Sequence, residues 1–123
     1  MLAPAALAAV LSGYPRPAWM DEGFLGASFM EPLTFILRRG GQPVDAIERY
    51  HRERGPETLR KLKDIGVNVV IVNVHKGAGL QAEAEDIQSA RKLIELAHSM
   101  GMRASGYIGA SLMYETIFDE IPE

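Results

Sequence analysis

There is no cysteine among the 123 residues, which excludes disulfides, thiolate-bound metal and a cysteine nucleophile. That absence leaves the compartment open. No apolar stretch approaches the roughly 20 residues that a membrane-spanning helix needs; the alanine-rich run Leu2–Leu11 is far too short. Basic surplus is missing as well. Thirteen Lys and Arg against 16 Asp and Glu give a net charge of -3, with both signs mixed along the same predicted helices. Nothing in that distribution resembles a phosphate-backbone footprint, so nucleic acid is not an expected partner. The three histidines, His51, His75 and His98, lack a His-x-x-x-His spacing, and neither a metal nor a bound cofactor is expected.

What is present is an ordinary globular composition, 47% hydrophobic and 24% charged, enough for one domain with its own core. The decisive stretch runs from Pro56 to Tyr114. Val67–Val74 is a nearly unbroken β-branched run preceded by Gly66, the pattern of a strand buried on both faces, as in parallel sheets covered by helices. Before it, Pro56–Ile65 reads as a helix with Pro at its first position and Leu59, Leu62 and Ile65 on one face. After it come a loop, His75–Glu85, a helix over Asp86–Met100 with Asp86 as N-cap, and a strand over Met102–Ser111. Gly101 supplies the stop between helix and strand. These pieces make a βαβ unit, whose crossover is right-handed in about 98% of cases.

Upstream, Gly23–Met30 reads as a first strand ended by Glu31-Pro32. Thr34–Arg39 is apolar and then basic, and Gly40-Gly41-Gln42-Pro43 is a turn. Asp45 opens a helix, with Glu48 placed as in a capping box, and Gly55-Pro56 interrupts it. Residues 1–22 form an N-terminal segment and residues 23–123 the domain. Leu2–Leu11 fits either the apolar region of an export signal, without the usual basic residues before it, or a plain N-terminal helix. The first reading implies export to the periplasm or the cell exterior. The expected fold class is α/β, with parallel βαβ units and two open sheet edges through which self-association could occur.

In parallel α/β folds, ligands gather at the carboxyl ends of the strands, where loops diverge and helix N-termini point inward. Glu31 follows the first strand, His75 and Lys76 follow the second, and Tyr107, Ser111, Tyr114 and Glu115 lie in or after the third. A carboxylate, an imidazole and an aromatic ring on one rim suit a sugar, which offers hydroxyls to bond and C–H faces to stack. Ordinary loop polarity is the plain alternative. His51, among Arg49, Arg52, Glu53 and Arg54, reads as part of a solvated face, and His98 as a ring favoured by the carbonyls of a helix C-terminus. Gly77-Ala78-Gly79-Leu80-Gln81-Ala82 has the G-x-G-x-x-A form of a dinucleotide fingerprint. Against nucleotide binding, His75 and Lys76 separate the strand from Gly77, and the next strand lacks a terminal acid for a ribose.

Two turns carry a resemblance. Glu57–Val70, with Gly66-Val67-Asn68 before the second strand, and Leu93–Arg103, with Ala97-His98-Ser99-Met100-Gly101-Met102 before the third, followed by Tyr107, are similar to the opening of barrel glycoside hydrolases. In particular the chain resembles the hypothetical glycosyl hydrolase group and its amylase-like and β-galactosidase-like relatives, over about residues 23 to 115. The resemblance implies a (β/α)8 barrel, typically about 250 residues, of which this chain supplies the first three strands or so. It also implies carbohydrate hydrolysis by a pair of carboxylates. In such barrels that pair comes from later strands, so the catalytic residues are unknown here and the fragment alone is expected to be inactive. Glu31, His75 and Tyr107 carry over as sugar-binding rim groups, and Glu115 or Asp119 could stand in only weakly for a missing carboxylate. The other reading is a self-standing α/β binding or interaction domain, oligomerising through its open edges or binding nucleotide through Gly77 and Gly79. The sugar, its linkage and the stereochemical outcome are open at this level.

Overall fold

A computed structural model describes residues 17–109 and 114–121. The expected N-terminal run, Ser111 and the end of the expected third strand lie outside the described residues. Three strands, β1 (Gly26–Phe29), β2 (Val69–His75) and β3 (Arg103–Ile108), form one parallel sheet in the order β1-β2-β3. The α/β class and the parallel βαβ units are therefore present. Four α-helices connect the strands: α1 (Leu33–Arg38), α2 (Ala46–Glu53), α3 (Pro56–Asp64) and α4 (Ala84–Ser99). Short 3-10 turns lie at Ala18–Met20 and Glu115–Asp119.

Register explains which side chains are buried. Ala27, Val70 and Ala104 form one row across the sheet, and Phe29, Val72 and Gly106 another; between them runs Ser28, Ile71 and Ser105. Strand side chains alternate between faces, so the first two rows share one face and the third lies opposite. Val70 and Val72 pack in a single cluster with Leu59 of α3 and with Ala90, Leu93 and Ala97 of α4. Both crossovers therefore cover the same face. Leu59 and Leu93, 0% and 2% exposed, each contribute about 2 kcal/mol of apolar burial. On the other face Ser28, Ser105 and Tyr107 are exposed.

The two glycine stops are built alike. After α3, Gly66 at φ 95° donates its N–H to the Lys63 carbonyl, and Val67 donates to Leu62. After α4, Gly101 at φ 72° donates to His98, and Met102 donates to Ala97. Both are Schellman closures, and the residues that follow the glycines, Val67 and Met102, drop into the core. This local chemistry turns each helix directly into the next strand.

Several expected details differ. The first strand is shorter than Gly23–Met30: Gly23 has φ 91°, and the Asn68 side chain receives the Leu25 N–H and donates to the Gly23 carbonyl. Asn68 thus pins the approach to β1 instead of extending β2, which begins at Val69. Thr34–Arg39 lies largely in helix α1. The capping box at Asp45 and Glu48 does not form, since Asp45 makes no side-chain cap bond and Glu48 lies 3.9 Å from Arg52 one turn on. Asp86 is not an N-cap either. Helix α4 starts at Ala84, and the Asp86 carboxylate is drawn inward to accept from the Thr34 backbone N–H and hydroxyl at the start of α1.

Candidate functional site

The carboxyl ends of β1 and β2 are tied together by charge. Glu31, just past β1, accepts hydrogen bonds from the Lys76 ammonium, just past β2, and from the Arg39 guanidinium. Lys76 reaches this position by laying its ammonium 5.5 Å from the centre of the Phe35 ring, a cation–π contact with the first turn of α1. Arg54 supports the same corner from α2's end: its guanidinium stacks 3.6 Å over Tyr50 and donates to the Glu31 carbonyl at 2.7 Å. Partial burial pushes the Glu31 carboxyl upward, but the bonds and charges of Lys76 and Arg39 together outweigh it and hold the group below its ordinary value. Glu31 is ionised at neutral pH.

Behind this pair lies a second carboxylate. Glu83, only 1% exposed, accepts the Lys76 N–H at 2.6 Å and the Ala78 N–H at 2.6 Å. Its Oε1 also lies 3.5 Å from His75 Nε2. A buried carboxylate needs such donors, and here they come from the loop that leaves β2. The loop is thereby wrapped around Glu83, which fixes the direction of both His75 and Lys76.

Loop 77–82 has a third carboxylate on its outer side. Oε1 of Glu120 accepts the Gln81 N–H at 2.7 Å and the Ala82 N–H at 3.0 Å. The segment around Glu120 crosses the loop, with Tyr114 N–H bonded to Gly77 O and the Thr116 hydroxyl bonded to Ala78 O. Gly79, at φ 112°, leaves room for the Glu120 carboxylate; a Cβ there would overlap it. The amides that would face a pyrophosphate in a dinucleotide loop are thus engaged by the protein's own carboxylates. Gly77 and Gly79 act in this structure as the points where the loop turns around them.

The three rim residues expected from the sequence are placed apart. Glu31 lines a groove of 540 Å³ beside β1, shared with Phe29, Arg54 and Leu62. His75 lines a different cavity, beside Val74, Ile108 and Glu120. Tyr107, 42% exposed, stands on β3 in register with Asn73. Glu31 and His75 are connected through Lys76, the neighbour of His75 in sequence, whereas no described cavity gathers all three. His98 lines a separate groove with Trp19 and Phe24, and Asp119 is exposed at the end of its 3-10 turn.

Sequence reasoning passed over Glu83, which stands in the acidic run Glu83-Ala84-Glu85-Asp86, and took Asp86 for a cap. The signal was in the spacing. Glu83, Asp86, Ala90, Leu93 and Ala97 recur at helical intervals, so both acids continue the buried stripe of α4. Asn73 is a similar case: it interrupts the apolar run of β2, is 5% exposed, and its side-chain amide has no hydrogen-bond partner among the described residues. Among the described residues no three His, Cys, Asp or Glu side chains converge as a metal site, and no described helix is long and apolar enough to cross a membrane. Chemically, the Glu31–Lys76–Arg39 cluster offers an acceptor flanked by donors at an accessible rim, a pattern suited to hydroxyl groups.

No protein-family model, curated protein or solved structure matches this chain. The class defined by the fold is an α/β protein with a parallel three-stranded sheet.

Proposed function

We propose that this chain forms the opening strands of a (β/α)8 barrel whose strand-end rim binds carbohydrate. One observation carries the barrel reading: the strands are parallel in sequential order, and both crossovers pack on one face in one cluster. A doubly wound sheet places helices on both faces and reverses strand order at its ligand crevice. A barrel keeps sequential order with every helix outside, which agrees with the exposed Ser28, Ser105 and Tyr107 on the opposite face. The carbohydrate reading is supported by the rim chemistry, in which Glu31 and Lys76 bond hydroxyls, His75 is held by Glu83, and the exposed Tyr107 ring offers a stacking face. Hydrolysis would then require carboxylates outside the described residues.

Calorimetric titration of the chain with neutral oligosaccharides such as maltotriose, cellotriose and xylotriose tests this. Binding of one of them, weakened about tenfold by Glu31→Ala or Tyr107→Ala with the circular dichroism unchanged, supports the rim assignment. Failure of every oligosaccharide to bind, or binding that survives the Glu31, His75 and Tyr107 substitutions, rules it out. A second reading, a self-standing module that associates through its sheet edges, is favoured by β1 and β3 each having one ladder neighbour among the described residues. Concentration-dependent assembly, abolished by a proline placed in β3, is its signature.

A further inference from the structure

The cavity beside His75 has a chemistry different from the rim. It measures 550 Å³, and its walls are Val74, Leu80, Ile87, Ile108, Ile117 and Ile121. Among the described residues, only His75 and Glu120 bring polar side chains to it, and no Lys or Arg lines it. Leu80, Ile108 and Ile121 are 68%, 62% and 50% exposed, so much of this apolar lining faces solvent. A concave apolar site of this size with a few convergent polar groups at one end has the form of a small-molecule pocket.

The polar end has a definite sign. Glu120 is fixed by the Gln81 and Ala82 amides, which favour its ionised form. His75 turns Nε2 toward a second carboxylate, that of Glu83, 3.5 Å away. An anionic head would therefore meet the Glu120 carboxylate, with that of Glu83 behind it and no Lys or Arg among the described lining residues, while a cationic head meets opposite charge.

We propose that this cavity binds a small molecule with an apolar body and an amine head, the body against the isoleucines and the head against Glu120. The site does not depend on the carbohydrate reading, because it shares with the rim only His75 and is defined by apolar walls.

Hexylamine, hexanol and hexanoate share an apolar body and differ in the head, so they separate the charge effect from burial. Titrated into the 123-residue chain and followed by backbone amide shifts, hexylamine binds saturably and about tenfold tighter than hexanoate, with hexanol between. Shifts cluster at residues 74–80, 87, 108 and 117–121. In Glu120→Gln, hexylamine falls to the affinity of hexanol while hexanol itself is unchanged, and Ile117→Ala weakens all three. Equal binding of hexanoate, no binding of any probe, or a preference untouched by Glu120→Gln overturns the proposal. So does a concentration-dependent dimer that Ile108→Asp dissociates, since a second copy then covers the patch. If Glu120→Gln also abolishes hexanol binding, the ratio of hexylamine to hexanoate in the unaltered chain decides.

Discussion

Removal of the Glu83 carboxylate is the perturbation with the sharpest expected consequence. Glu83→Ala takes a charged acceptor from two loop amides, Lys76 and Ala78, each at 2.6 Å. Orphaning a buried donor costs about 1–3 kcal/mol, and the truncated side chain leaves a cavity worth about 1 kcal/mol more. Relief of the buried carboxylate's desolvation offsets part of this. The net loss is about 3 kcal/mol, or about 10 °C in Tm for a chain of this length. Glu83→Gln keeps one oxygen acceptor but turns an NH2 group toward the second amide, so it falls between alanine and the unaltered chain. Urea unfolding followed by circular dichroism gives the ordering, and amide hydrogen exchange locates it: protection at Lys76 and Ala78 drops before that of β2. A Glu83→Ala chain within about 0.5 kcal/mol of the original would refute the idea that this carboxylate organises the loop.

Other expectations rest on separate contacts. Asn68→Ala frees the Leu25 N–H and the Gly23 carbonyl and lowers stability by about 1 kcal/mol, with exchange speeding at Leu25 in an NMR series. Gly79→Ala strains a φ of 112° and collides with Glu120, costing about 2 kcal/mol in chemical denaturation; adding Glu120→Ala recovers the collision but not the strain. Acid should weaken the fold through Glu31 and Glu120, whose carboxyls both titrate below the ordinary 4.5. For Glu120, exposure to less water pushes the group up, and the amides of Ala82, Gln81 and Leu80 more than reverse it. A depressed folded value means that this stabilisation is complete above about pH 4.5 and is lost as pH falls through the lowered values. Denaturation at a series of pH values below 5 should show a shallower slope in the double variant Glu31→Gln, Glu120→Gln than in the unaltered chain.

Much of the fold was legible because it is written in local chemistry. The β-branched run into β2 and the glycines at 66 and 101 each encode one conformation, and both Schellman closures followed from helix-stop signals in the sequence. Short-range rules failed where a side chain had a distant alternative. Asp86 has the residue type of a cap, but Thr34, 52 residues away in sequence, offers two donors at a buried position. Asn68 looks like part of a strand and serves instead as a clamp on the approach to β1. The site was legible in the same uneven way. Strand-end logic placed Glu31, His75 and Lys76 at the carboxyl ends of β1 and β2, where they lie, while the Glu120 contact to loop 77–82 spans 39 residues of sequence and leaves no periodic trace. Glu83 did leave one, since it continues the apolar stripe of α4.

The strand-end rim is tested most directly by mapping an oligosaccharide onto it. In a titration of the isotope-labelled chain with the neutral trisaccharide that binds by calorimetry, the account predicts saturable amide shifts at Glu31, His75, Lys76 and Tyr107, with α4's outer surface unchanged. Shifts confined to other surfaces, or none with any neutral oligosaccharide, would contradict it.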